Sequence, residues 1–437
     1  DAKPLLENLD GPVAPKEWQG GLALEYRLGG GRVLVRMKVE MDNRVSPNYV
    51  VEGRIRGAER PDEWVVLGNH RDAWVFGGVD PSSGSASLME VTRALGERLR
   101  AGARPKRTLV FCSWDGEEVG LTGSTEWGEQ FGDELRAKAV AYLNVDSSAS
   151  GPDFEPQAVG SLAPLVVDLA RELRDPATGR PLAEARREVV AKARAESGDR
   201  AAVVDDDLVD VRIGSGSDHT VFLNHLGVPT IGLTFEGPYG VYHSMYDGFH
   251  WMNRLGDPGY RYHVLLSRIW GTLALRLANA DLLPFDFAAY GRHLRAFVDD
   301  LEKAAEKGRL DLSRLRKSVG DLETAGRLFN EEAARALAAR VPPADLARRV
   351  NRGILEVERN WLDPEGLPGR PWFRHTLYAA RYTYAHLELP GLTEAVEEKD
   401  WDRAARQSAV LERAVARNAA LLNDLAGQLS AGSTAAP

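Results

Sequence analysis

The chain has 437 residues, 43% hydrophobic and 27% charged, a globular composition too long for one ordinary core, so two or three domains are expected. Its net charge of −9, from 55 Lys and Arg against 64 Asp and Glu, argues against a nucleic-acid partner, and no apolar run approaches the roughly 20 residues of a membrane span. The single cysteine, Cys112, sits in an apolar run and excludes an intrachain disulfide; any zinc site must use His and carboxylates.

The chain starts at Asp1 with neither an initiator Met nor a signal-peptide pattern, so a processed or truncated N-terminus is expected. Residues 1–34 are short pieces punctuated by Gly and Pro. The segments RVLVRMKVEM and YVVEGRIRG read as two strands joined by the turn-like Asp42–Pro47, with Val33, Val35, Met37 and Val39 alternating as in a half-buried strand. From Trp64 the pattern becomes strand and helix by turns. Strands are expected at 65–67, 108–113, 139–145 and 228–235, and helices at 85–99, 124–131, 162–174, 182–196, 221–226 and 257–278. Such alternation predicts an α/β fold, a mixed, mainly parallel sheet covered by helices. After Pro284 strand signals nearly vanish. Residues 285–360 and 392–430 read as long amphipathic helices around the loop Trp361–His375, a C-terminal all-helical domain. The expected domains are 1–34, 35–283 and 284–437.

In parallel sheets ligands bind beyond the carboxyl ends of the strands. Residues that carry chemistry follow the strands here: His70 and Asp72 in VVLGNHRDAWVFGGVD, Glu117 and Glu118 in TLVFCSWDGEEVG, and Asp146 in VAYLNVDSS. Asp80 ends the first block, and His243 lies in Tyr242–His243–Ser244. Taken singly, a Glu pair reads as a solvated loop, an Asp as a cap and a His as a surface residue. Together they supply two His and three carboxylates with an additional Glu, a donor set for two zinc ions each keeping an open or water-filled position. Adjacent side chains diverge, so one Glu of the pair binds metal while the other faces the water on it. Asp80 is the candidate bridge, because Gly77 and Gly78 allow close backbone approach. Asp72 is expected to orient His70. The remaining histidines, His219 and His386 among them, read as ordinary structural or surface residues. No GxSxG elbow supports a serine hydrolase.

The blocks GNHRDAWVFGGVDP, SWDGEEVGLTGSTEW, AYLNVDSS, GSGSDHTVF and YHS, in that order, resemble the zinc exopeptidases related to glutamate carboxypeptidase II and the transferrin receptor. The segment from PWFRHTLYA to LPGL is similar to that family's C-terminal dimerisation domain. The resemblance implies a zinc-exopeptidase fold and a dizinc metallo-exopeptidase, a carboxypeptidase or aminopeptidase, acting on a peptide substrate as a homodimer. It pairs His70 with Asp146 on one zinc and Glu118 with His243 on the other, with Asp80 bridging, Glu117 as general base and Tyr242 near the scissile group. Residues 1–34 would be the last piece of a protease-associated apical domain, and the location extracytoplasmic, secreted or periplasmic. Glu126 and Glu129 match carboxylates that hold Ca2+ in the family, although their upstream partners are not in this chain. Other departures weaken a glutamate preference: Thr383–Tyr384 stands where a Lys–Tyr pair grips substrate, Ser217 replaces an Asn, and Pro229–Glu236 lacks an Arg cluster. The alternative is a non-catalytic, receptor-like protein on the same fold.

Overall fold

A computed structural model of the chain describes residues 2–30, 34–198, 201–339, 342–381 and 385–434. The chain divides into two compact units, residues 1–47 and 48–437. In the first, Lys3–Leu6 forms one helical turn and Val13 bridges to Arg27. Of the strand expected over 32–41 the described part is not formed: residues 34–50 are neither helix nor strand, with Val35, Met37 and Val39 exposed; Arg32 and Val33 lie outside the described residues. Alternation marks a strand only where an apolar surface and a free ladder receive it, and among the described residues neither reaches this segment. The first compact unit ends at Pro47.

The second unit is built on a six-stranded sheet. Strands β1 (Val51–Ile55), β2 (Arg60–His70), β3 (Arg107–Trp114) and β4 (Ala139–Asn144) are joined by the short strands Thr230–Gly232 and Gln157–Ala158. The order is β1, β3, β2, β4, Thr230–Gly232, Gln157–Ala158. The four inner strands run parallel and the two edge strands antiparallel to their neighbours. Alternate side chains of β2 enter opposite cores: Val65 and Leu67 join the larger one, Trp64 and Val66 a smaller one with Trp114, Trp127, Tyr142 and Phe222. A sheet buried on both faces explains the near-continuous apolar runs.

Helices Ser82–Arg100 and Arg261–Asn279 belong to the larger core, Thr122–Gln130 to the smaller. Beyond residue 284 the long helices Phe287–Ala304, Ser313–Ala339, Ala344–Arg359 and Trp401–Thr434 dominate, with one addition, the strand pair Tyr378–Ala380 and His386–Glu388. This region is not a detached body. A single apolar core runs from β2 through Leu294 and Phe297 to Leu422 and Leu425, and Asp286 N–H donates to the Ser161 carbonyl at 2.8 Å.

Candidate metal centre

The strand order brings the site together. β2 lies between β3 and β4 and ends at His70. The loop after β3 carries Glu117 and Glu118, and the turn after β4 carries Asp146. All three strands are parallel, so these groups share the sheet's carboxyl edge. Asp80 is supplied by the turn before helix Ser82–Arg100. Gly77 there has φ +58, and a Cβ on Gly78 would lie 2.6 Å from the Gly248 backbone, so both glycines are required. His243 comes from the loop after Phe235 and is held at φ +54, a left-handed conformation that costs a non-glycine residue about 1–3 kcal/mol and clusters at functional sites.

Asp80 stands between the two imidazoles. Its Oδ1 lies 3.2 Å from His70 Nε2 and its Oδ2 lies 3.0 Å from His243 Nε2. Glu118 Oε2 is 3.2 Å from the same His243 nitrogen. Donors around a tetrahedral zinc with bonds of about 2.0–2.1 Å stand roughly 3.3 Å apart, so these spacings suit such an ion. His70, Glu117 and Asp146 form a second group whose donor atoms lie within 4.8 Å of one another. Glu118 diverges from Glu117: one meets His243, the other faces His70 and Asp146.

The electrostatics ask for cations. Burial, then the neighbouring Asp146, pushes Glu117 up to about 10. Burial and Asp80 push Glu118 up to about 7. Burial raises Asp146 as well, although His70, Ser217 and Asn144 oppose it. Burial disfavours a charged His70 ring, yet the carboxylates of Asp72, Asp80, Asp146 and Asp218 outweigh it and raise its pKa. Glu118 Oε1 is buried without a hydrogen-bond partner. Crowded acids, an orphaned carboxylate oxygen and an all-N,O donor set fit divalent metal ions.

Surrounding groups hold these donors. Asp72 accepts the backbone N–H of Glu117 and of Glu118, both at 3.1 Å, and meets His70 Nδ1 through its carbonyl oxygen at 3.0 Å, its carboxylate being 3.6 Å away. The Ser217 hydroxyl donates to Asp146 Oδ1 at 2.6 Å, and Asn144 Nδ2 donates to both at 2.8 and 3.2 Å. A buried chain continues from Asn144 through the Tyr142 hydroxyl to Trp114 Nε1. Tyr242 stacks on the His243 ring at 3.7 Å and lines the adjoining cavity. Tyr384 and Thr383 lie outside the described residues. Glu126 is exposed, and Glu129 accepts from Trp372 Nε1 at 2.5 Å.

Sequence reasoning missed four groups. Asp247 accepts from Val79 N–H at 2.8 Å, Asp80 N–H at 3.2 Å and the Tyr239 hydroxyl at 2.6 Å, fixing the bridging residue. Asp218 is wholly buried beside His70 and Asp146, and burial lifts it to about 7. His219 and His386, expected to be ordinary, line the cavity. The motif GSGSDHTVF contained two of the four.

A mainly parallel α/β sheet here gathers two imidazoles and four acids at its carboxyl edge, a donor set that suits divalent metal ions. Residues 50–254 match peptidase family M28, and residues 310–423 match the transferrin receptor-like dimerisation domain. The chain is 36% identical to a probable glutamate carboxypeptidase, LAMP1, of Arabidopsis thaliana over 98% of this chain and 60% of that protein. It is 38% identical to probable glutamate carboxypeptidase VP8 of Zea mays over 90% of this chain and 54% of that one. It is 31% identical to the aminopeptidase NAALADL1 of Mus musculus over 97% of this chain and 60% of that one. A solved zinc aminopeptidase from Bacillus subtilis is more distant, with 15% identity and a TM-score of 0.34 over 52% of this chain and 48% of that one. The chain thus joins a region that matches peptidase family M28 to one that matches a transferrin receptor-like dimerisation domain, and it spans 54–60% of the length of these curated relatives.

Proposed function

We propose that this chain is the catalytic and dimerising part of a dizinc exopeptidase that hydrolyses a terminal peptide bond. One observation carries the reading: the two oxygens of Asp80 face the two imidazoles at 3.2 and 3.0 Å, as a carboxylate shared by two ions must. Asp80 would bridge, His243 and Glu118 would complete one ion, and His70 and Asp146 the other. Zinc bound there would acidify a water molecule and polarise the scissile carbonyl. Glu117 would take the proton of the attacking water and return it to the leaving amine. With no cation beside it Glu117 is a protonated acid at neutral pH, so its work as a base depends on the loaded site. Tyr242, on the cavity wall, would contact the peptide near the scissile carbonyl. The complete donor set favours an enzyme over the receptor-like alternative. Calcium is left out of the proposal, because Glu126 and Glu129 bring together no third donor among the described residues.

Glu117→Gln tests the assignment. It is expected to keep its zinc, measured by plasma mass spectrometry, and to lose roughly 10²–10⁴ in kcat. Full hydrolysis by the variant would overturn the role of Glu117, and wild-type protein free of zinc would overturn the metal reading.

A further inference from the structure

A cavity of about 600 Å³ opens beside the metal centre. Besides Asp80 and Asp146 it is lined by three further acids, Glu155, Asp210 and Glu236, and by no Lys or Arg among the described residues. Cations in the metal centre would offset the first two. Buried Arg186 is ion-paired with Glu155. Arg212, two residues beyond Asp210, reaches away to Glu388 at 2.6 Å. Arg186 also acts on Glu236, so one guanidinium stands against Glu155, Glu236 and Asp210, and the cavity keeps net negative charge.

A second, independent feature points the same way. His219 lines this cavity, is only 3% exposed, and neither of its ring nitrogens has a hydrogen-bond partner. Burial and the nearby His386 hold its pKa down at about 3, so the ring is neutral, with one nitrogen offering a lone pair and the other an N–H. A buried polar atom left unpaired is costly until a ligand satisfies it. A positively charged nitrogen group, which donates hydrogen bonds, suits this lone pair and the acids together.

We infer that the cavity holds a positively charged group of the peptide next to the scissile bond, either a Lys or Arg side chain or a free α-amino group, and disfavours glutamate. The inference rests on the peptidase reading and assigns its substrate class. A residue of negative charge would face Glu236 and Asp210 with no cation of the cavity wall to receive it.

The test uses the full chain loaded with zinc and a matched peptide panel. Lys, norleucine or Glu occupies either side of the terminal bond, with the N-terminus free or acetylated. Lys is expected to exceed norleucine, or the free amine the acetylated form, by about tenfold or more in kcat/KM, the size of one charge-assisted hydrogen bond. The two arms distinguish a side-chain cation from an α-amine. Glu236→Gln and Asp210→Asn, with their fold checked by circular dichroism, are each expected to reduce that ratio. A preference for Glu, equal rates across the panel, or a ratio unchanged in both variants would overturn the inference.

Calorimetric titration with L-lysine amide separates the two readings. Saturable binding that weakens in Glu236→Gln, with no peptide hydrolysed, would sink the peptidase reading and leave the cavity as a site for cationic amines alone. Neither binding nor hydrolysis would sink both.

Discussion

Asp80 can lie between two imidazoles only while its own backbone is held, and Asp247 holds it through the N–H groups of Val79 and Asp80. Asp247→Ala is expected to weaken zinc binding about 10–100-fold, the usual cost of losing a group that orients a ligand, as measured by competition with a chelator. Unchanged affinity would show that the turn at Asp80 is rigid without it. The candidate ligands His70, Asp80, Glu118 and Asp146 were legible in the sequence because each is a polar break after an apolar strand or beside glycines, whereas His243 stands in an aromatic loop. Asp247 was not, because it acts on backbone amides about 170 positions away, and backbone amides leave no trace in composition. His219 and His386 were hidden for a different reason. Nothing local separates a cavity-lining imidazole from one packed in a core.

Among elements, helix Arg261–Asn279 has an unusual start. Tyr260 precedes it at φ +56, and Asp257 accepts from Tyr262 N–H, His263 N–H and His263 Nδ1 at 2.9, 2.9 and 2.8 Å. Burial pushes the Asp257 carboxyl upward, but these bonds prevail and hold it below the usual carboxylate range. A depressed folded pKa contributes stability that is present above the unfolded value of roughly 4 and lost as pH falls through the folded one. The wild type is therefore expected to lose Tm on acidification below about pH 4. Asp257→Asn should start lower at pH 7, by about 1 kcal/mol for a lost cap, and fall less steeply. Parallel pH profiles for the two proteins would contradict this. Helical periodicity made the helix legible in advance, whereas its start was placed at Asp257 itself. The strand expected over 32–41 failed for a related reason: alternation describes a surface that could be covered, and the covering partner must be found elsewhere.

At the scale of the molecule, the helical region was legible as helices, but its apolar faces suited subunit pairing and packing onto the sheet domain equally. The same core includes Leu67 of β2, Tyr290 and Trp361, and His386 reaches the cavity from beyond residue 284. Residues 1–283 produced alone are expected to aggregate, because they would expose the apolar surface now covered by Leu294, Phe297 and Val298. A soluble, cooperatively melting fragment would contradict the single core. Dimerisation through residues 284–437 is part of the proposal, and sedimentation is expected to give twice the 47.9 kDa chain mass. A monomer at micromolar concentration would remove it. The most direct test of the central claim is anomalous diffraction from zinc-loaded crystals at the zinc edge. Two peaks about 3.5–4 Å apart, one on each side of the Asp80 carboxylate, are predicted; no peak there, or a single one, would contradict it.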